Sequence, residues 1–258
     1  MYRIFRKAVS MRFNHLWIMI LLLGLGWTRI SYAATYYVDA GAMGSNNGLS
    51  WANAFVDLQK ALGTVVSGDA IWVAEGTYYP DPSVQTVSFE IPAGVSLYGG
   101  FGGDEELLTD RDWVMYPTIL SGDLGTQDYT ADNSHQVISC EEAGDDVVID
   151  GFTILDAYLD GTVGGGLAIS GATVTVSNTI FSDNFAGVGG AIGVSFGTAT
   201  IVDCSFSGNT CYNAGGAIYS EFGIATVRDC TFTDNESPYE GGSVYCYESE
   251  MAFTTSTF

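Results

Sequence analysis

The chain has 258 residues, with 30 acidic side chains against 8 basic ones, a formal charge of −22, 33 glycines and 5 cysteines. Such a surface repels nucleic acid and anionic lipid, and it disfavours polyanionic polysaccharides such as pectate unless cations bridge the two. A saline habitat, or the solubility of a long sheet protein, would also favour this acidity.

The first 33 residues read as a secretory signal peptide. Arg3, Arg6, Lys7 and Arg12 precede an apolar stretch from Leu16 to Trp27, and Ser31-Tyr32-Ala33 supplies a small-x-small cleavage pattern. Twelve apolar residues are too short to span a bilayer comfortably, although an uncleaved anchor is the alternative reading; Met11 offers a second start. Without this segment the basic residues are Lys60, Arg111 and Arg228, and the formal charge becomes −27. No transmembrane segment is expected in the mature chain.

Residues 34–70 read as an N-terminal cap. Ser50 is suited to an N-cap, and Trp51, Phe55, Leu58 and Leu62 fall on one face of an amphipathic helix ending by Gly63. Ala70-Ile71-Trp72-Val73-Ala74 then reads as the first buried strand. Between residues 76 and 140 the pattern is irregular, with an insertion around Tyr79 to Gln85 and an acidic loop from Gly103 to Asp112.

From about residue 145 a regular repeat takes over. Glycine pairs at Gly165-Gly166, Gly189-Gly190, Gly215-Gly216 and Gly241-Gly242 each open an apolar run, and Phe181-Ser182-Asp183-Asn184, Phe206-Ser207-Gly208-Asn209 and Phe232-Thr233-Asp234-Asn235 close successive units. From Phe181 through Phe206 and Phe232 to Phe258 the steps are 25, 26 and 26 residues. The runs Ala172–Val176, Ala199–Val202 and Ala225–Arg228 are β-branched without a helical stripe, and leucine is too scarce for a leucine-rich repeat. The reading is all-β: a parallel β-helix over residues 71–258, two or three short strands per coil, with coils ~4.8 Å apart. Stacking then predicts a ladder of the repeat phenylalanines, an amide ladder of Asn184, Asn209 and Asn235, and tight or positive-φ bends at the glycine pairs. Phe258 starts a fourth closing motif that the chain does not finish, so it reads as truncated, with its anchoring domain out of view.

The pairing of Gly-Gly-Ala-Ile (Gly189 to Ile192, Gly215 to Ile218) with Phe-x-x-Asn resembles the repeat of chlamydial-type polymorphic outer membrane proteins. The upstream stretches Tyr36–Asp39, Gly48–Phe55, Trp72–Tyr78, Thr118–Asp123 and Ile149–Ile154 are similar to the leading regions of large secreted bacterial proteins with pectin-lyase-like folds. The resemblance implies a right-handed parallel β-helix and a surface-displayed, adhesin-like passenger in the outer membrane or outside the cell, binding a glycan or a protein.

Chemistry is sparse. A lyase needs a basic residue beside a cation-neutralised carboxylate, and a hydrolase of this architecture needs several aspartates with a histidine. After the signal segment the chain has Lys60, Arg111, Arg228, one histidine (His135) and one Asp pair (Asp145-Asp146), so no catalytic residue and no cofactor is assigned. The alternative is a polysaccharide-active enzyme whose catalytic coils lie beyond residue 258. For Ca²⁺, Asp123, Asp128, Asp132 and Asn133 crowd one loop and Asp156 with Asp160 another, but neither spacing matches a known calcium loop and the metal assignment stays open. Of Cys140, Cys204, Cys211, Cys230 and Cys246, Cys204 and Cys230 share a column with Thr179 and Ser256, compatible with a disulfide or with small residues in a tight space. Tyr36, Tyr37, Tyr78, Tyr79, Tyr212, Tyr219, Tyr239, Tyr245 and Tyr247 could present rings to sugars, and Tyr219 and Tyr245 sit at equal steps after their glycine pairs.

Overall fold

The computed structural model describes residues 33–127, 129–141, 144 and 146–258. The expected signal peptide lies outside the described residues, apart from its last residue. The rest is mostly β, a parallel solenoid of about seven turns whose regular coils take 25 or 26 residues each.

Among the described residues four sheets run along the solenoid. The long sheet has eight strands, among them Thr35–Val38, Ala70–Ala74, Val147–Asp150, Thr173–Ser177, Thr198–Val202, Ile224–Arg228 and Glu250–Thr254. A second sheet of six carries the repeat phenylalanines on Ile180–Ser182, Ser205–Ser207 and Thr231–Thr233. A third sheet of six follows the glycine pairs and includes Leu167–Ser170, Ile192–Ser195, Ile218–Glu221 and Val244–Tyr247. A fourth, of three strands (Tyr158–Val163, Phe185–Val188, Thr210–Ala214), sits on the middle coils and was not expected from sequence. It forms where the segment between Asn and Gly-Gly is extended and long enough to pair.

Alternation along each strand builds the core. One coil turns Leu167, Ile169, Val174, Val176 and Phe181 inward; the next places Ile192, Val194, Ala199, Ile201 and Phe206 at the same positions, all buried. The phenylalanine rings stack almost parallel, with centroids 5.2 Å apart for Phe181–Phe206, 4.7 Å for Phe206–Phe232 and 4.6 Å for Phe232–Phe258. The amide ladder forms as expected. Asn184 Nδ2 donates to Asn209 Oδ1 at 3.0 Å and Asn209 Nδ2 to Asn235 Oδ1 at 2.9 Å. Each of the three amides also donates to a backbone carbonyl of the preceding coil, Ile154, Phe181 and Phe206 respectively.

Three local expectations are corrected. The helix from Trp51 to Leu62 is broken into a 3-10 turn, Trp51–Asn53, and a single α-helical turn, α1 (Leu58–Leu62). Ser50 makes no side-chain cap bond; Asp57 does, accepting from Gln59 N at 2.9 Å. Phe55 is drawn out of any helix because its N–H donates to Tyr37 O and its carbonyl accepts from Asp39 N, both at 2.8 Å, forming a bridge beside Val38. Second, the first strand of the long sheet is Thr35–Val38, in register with Ala70–Val73, so the sheet begins within the residues assigned to the cap and Ala70–Ala74 is its second strand. Third, register aligns Leu167 with Ile192 and Ile218, which makes Gly164-Gly165, not Gly165-Gly166, the equivalent of Gly189-Gly190. Gly164, Gly189, Gly215 and Gly241 all have positive φ, and a Cβ on Gly189 would stand 2.4 Å from Ile192 O.

Candidate functional site

Among the described residues, each of the three Lys and Arg side chains has a partner within the fold. Arg111 does not project from its acidic loop but folds back onto the coils. Its guanidinium pairs with Asp150 at 2.9 Å, donates to Gly99 O and Asp150 O at 3.2 Å, and lies over the Tyr98 and Trp113 rings. Lys60 Nζ donates to Asn46 O at 2.8 Å and sits over Phe55, while Arg228 pairs with its exposed neighbour Asp229 at 2.5 Å. His135 is tied through its backbone N–H to Gln85 O, and Asp145 lies outside the described residues.

The arrangement best built for recognition is the outer face of the third sheet. Because Ile218 and Val244 point inward, the alternate positions point outward and register in two columns: Gly193, Tyr219 and Tyr245, then Ser195, Glu221 and Tyr247. The Tyr219 and Tyr245 rings stack with centroids 5.9 Å apart and 8° between planes, the ladder anticipated from their equal steps. Glu221 holds this face together, accepting from Tyr219 Oη at 3.0 Å and from Ser195 Oγ at 2.9 Å. Partial burial, followed by that carboxylate, pushes the Tyr219 hydroxyl up to about 12; a hydrogen bond to Glu240 is the main cause that raises Tyr245.

Next to these columns, at the corner leading into the long sheet, the structure places Phe196 and Phe222, which the sequence reading passed over. Both have positive φ, 55° and 51°, a conformation that bulky residues adopt only under constraint, and both are exposed, at 69% and 44%. Their rings stack at 5.0 Å, and Tyr247 meets Phe222 edge-on at 5.8 Å. The available signal was a Phe-Gly pair recurring one coil apart, Phe196-Gly197 and Phe222-Gly223. Five rings on three coils thus lie on this face and its corner, with Glu221 set between the Tyr219–Tyr245 pair and the Phe196–Phe222 pair. The other flagged tyrosines are not part of it. Tyr78 is buried, and Tyr37 packs edge-on against Trp51 and Trp72. Tyr212 and Tyr239 form a separate exposed pair with centroids 6.1 Å apart.

A separate, concave feature lies between the long and second sheets, a groove of about 510 Å³ lined among others by Trp113, Asn178, Asp203, Ser205 and Asp229. Asn178, Asp203 and Asp229 occupy its corner column, all at positive φ, where Asn and Asp are the tolerated side chains.

All five cysteines are free thiols, and only Cys246 is exposed. The shared column has its own chemistry: Thr179 Oγ1, Cys204 Sγ, Cys230 Sγ and Ser256 Oγ each donate to the carbonyl two residues earlier, at 2.8, 3.2, 3.2 and 3.1 Å. Hydroxyl and thiol are interchangeable there because the carbonyl asks only for a short donor. Of the acidic loops, Asp128 is outside the described residues, and among the described residues no group of three His, Cys, Asp or Glu side chains clusters as a metal site. The fold does join the two loops, because Asn133 Nδ2 donates to Asp156 O at 2.7 Å.

No curated protein and no solved structure matches the chain. A family described as a protein of unknown function, DUF1565, matches residues 40–235, from just after the first strand to the last amide of the ladder. That span exceeds half of the chain, which therefore belongs to the DUF1565 family.

Proposed function

We propose that this protein is a secreted or cell-surface recognition solenoid, adhesin-like and without catalysis, that binds neutral glycans on the face carrying Tyr219, Tyr245, Tyr247, Phe196 and Phe222. The observation that carries the reading is the two-ladder aromatic surface: flat rings held in register by the coils, two of them at strained backbone positions, with Glu221 at hand for sugar hydroxyls. Pyranose rings present apolar C–H faces that suit such rings, and rigid aromatics lose little conformational entropy on binding. The formal charge of −27 without the leader favours a neutral ligand over an acidic one. The coil is taken as right-handed, with α1 covering the open end of the first rung, in keeping with the likeness to polymorphic outer membrane repeats and pectin-lyase-like folds. The basic-then-apolar N-terminal segment supports export.

The test is a panel of neutral and acidic polysaccharides titrated calorimetrically into the purified protein, its Tyr219→Ala variant and its Phe222→Ala variant. Binding to neutral glycans, weakened at least tenfold by either substitution, is expected; binding that neither variant changes, or no binding at all, refutes the site. A polysaccharide-active enzyme is the second reading, favoured by the groove that Asp203 and Asp229, one coil apart, line together with Trp113. Release of reducing or unsaturated ends from the same panel would establish it.

A further inference from the structure

We infer that Asp132 and Asn133, with Asp123 beside them, form a Ca²⁺ site that locks the loop after the strand Thr118–Ser121 onto the coils. The two adjacent side chains share one pattern. Asp132 Oδ2 is held by Thr126 N–H at 2.9 Å, while its Oδ1 is buried and has no hydrogen-bond partner among the described residues. Asn133 is only 4% exposed. Its Nδ2 is held by Asp156 O at 2.7 Å, and its Oδ1 is likewise buried without a partner. The amide cannot be turned over to cure this, because the Asp156 carbonyl requires the NH₂ side. Both oxygens therefore face away from their anchors, and a buried acceptor without a donor calls for an explanation such as an ion or an ordered water.

The surroundings favour the ion. Asp123 lies on the same loop, where Gly122 O accepts from Ser134 N–H at 2.7 Å and brings the two segments side by side. Hard carboxylate and amide oxygens without thiol or imidazole select Ca²⁺ over zinc or copper. With so few charged ligands the affinity belongs with extracellular modules, a Kd on the order of 10⁻⁴–10⁻³ M. The site has structural reach: Gln85, from the insertion after Tyr79, donates through Nε2 to both Ala131 O and Asn133 O at 2.9 Å, so ordering Asn133 also orders that insertion.

The experiment is thermal unfolding of the purified protein in EDTA, in millimolar CaCl₂, in equal MgCl₂, and in NaCl at matched ionic strength, since any salt relieves the repulsion of an acidic surface. Ca²⁺ should raise Tm by roughly 5 °C beyond the Mg²⁺ and NaCl samples. Asp132→Asn, isosteric and neutral, should unfold in EDTA at a temperature no lower than the parent yet lose the Ca²⁺-specific increment. Should that variant fail to fold, Tb³⁺ luminescence sensitised by Tyr129 on the parent, displaced by Ca²⁺ but not by Mg²⁺, gives the same answer. Equal stabilisation by all three salts, an increment that survives in Asp132→Asn, or Tb³⁺ emission that Ca²⁺ does not displace would overturn the assignment and leave ordered water as the partner of these oxygens.

Discussion

Removing the middle rung of the amide ladder is the sharpest test of what holds the coils in register. The Asn209 side chain donates to Asn235 Oδ1 and to Phe181 O, both at 2.9 Å, and accepts from Asn184 N–H at 3.2 Å and Asn184 Nδ2 at 3.0 Å. At a net ~1 kcal/mol per bond, Asn209→Ala should cost about 4 kcal/mol, because it also strands the buried Asn184 N–H. Asn235→Ala loses the Phe206 O bond and two bonds from Asn209 at a less buried position, so about 3 kcal/mol is expected. Urea unfolding followed by far-UV circular dichroism reads both. The double variant Asn184→Ala/Asn209→Ala should cost less than the sum of the single changes by roughly 1 kcal/mol, since the two side chains share one bond, Asn184 Nδ2 to Asn209 Oδ1. A loss below about 1 kcal/mol for Asn209→Ala, or strict additivity in the pair, would mean that the ladder follows from coil packing and does not hold it.

Gly189→Ala places a Cβ 2.4 Å from Ile192 O at φ 61° and should cost more than about 2 kcal/mol, whereas Gly171→Ala, also at positive φ but facing open space, should cost about 1 kcal/mol in the same unfolding experiment. In the folded protein Tyr78 and Tyr219 ionise near 12, against an ordinary value of 10, chiefly because burial disfavours the phenolate. Their contribution to stability is therefore whole below pH 10 and disappears as pH climbs from about 10 to about 12, with two late tyrosinates visible in an ultraviolet titration. A thiol reagent should label one cysteine, Cys246, in the native protein and all five after denaturation, because Cys140, Cys204, Cys211 and Cys230 are buried and burial pushes the Cys140 thiol up to about 12. Only three labelled thiols in denaturant would reveal one disulfide, and peptide mapping of the unlabelled pair would test Cys204–Cys230.

Much of the solenoid was legible because stacking makes its sequence self-annotating. Phe181, Phe206 and Phe232 recur at the coil period since each must lie on the last, and the same holds for the three asparagines. The front was less legible for the converse reason: Phe55 had the spacing of a helix, yet its backbone pairs with Tyr37 across a loop, a long-range contact that periodicity does not report. The glycine run Gly164-Gly165-Gly166 hid its register, because three identical residues leave the phase open until Leu167 is seen against Ile192. Tyr219 and Tyr245 were recoverable from equal steps. Phe196 and Phe222 were not singled out, because a bulky residue with positive φ runs against every local preference, and only the folded corner brings their rings together.

Uniform stacking also bears on how the chain reaches this state. In the regular coils strand residues pair with ones 25 or 26 positions away, as Thr173 does with Thr198 and Thr198 with Ile224. That separation is about a tenth of the chain, in the range of helical bundles and well below that of β-sandwiches, so an all-sheet protein inherits the short loop closures that make helical domains quick. The slow closure belongs to the irregular front, where Ser96 must find Val148. Assembly is then expected to wait on that one wide turn, while the coils after it wind up one at a time, each using the coil before it as a template.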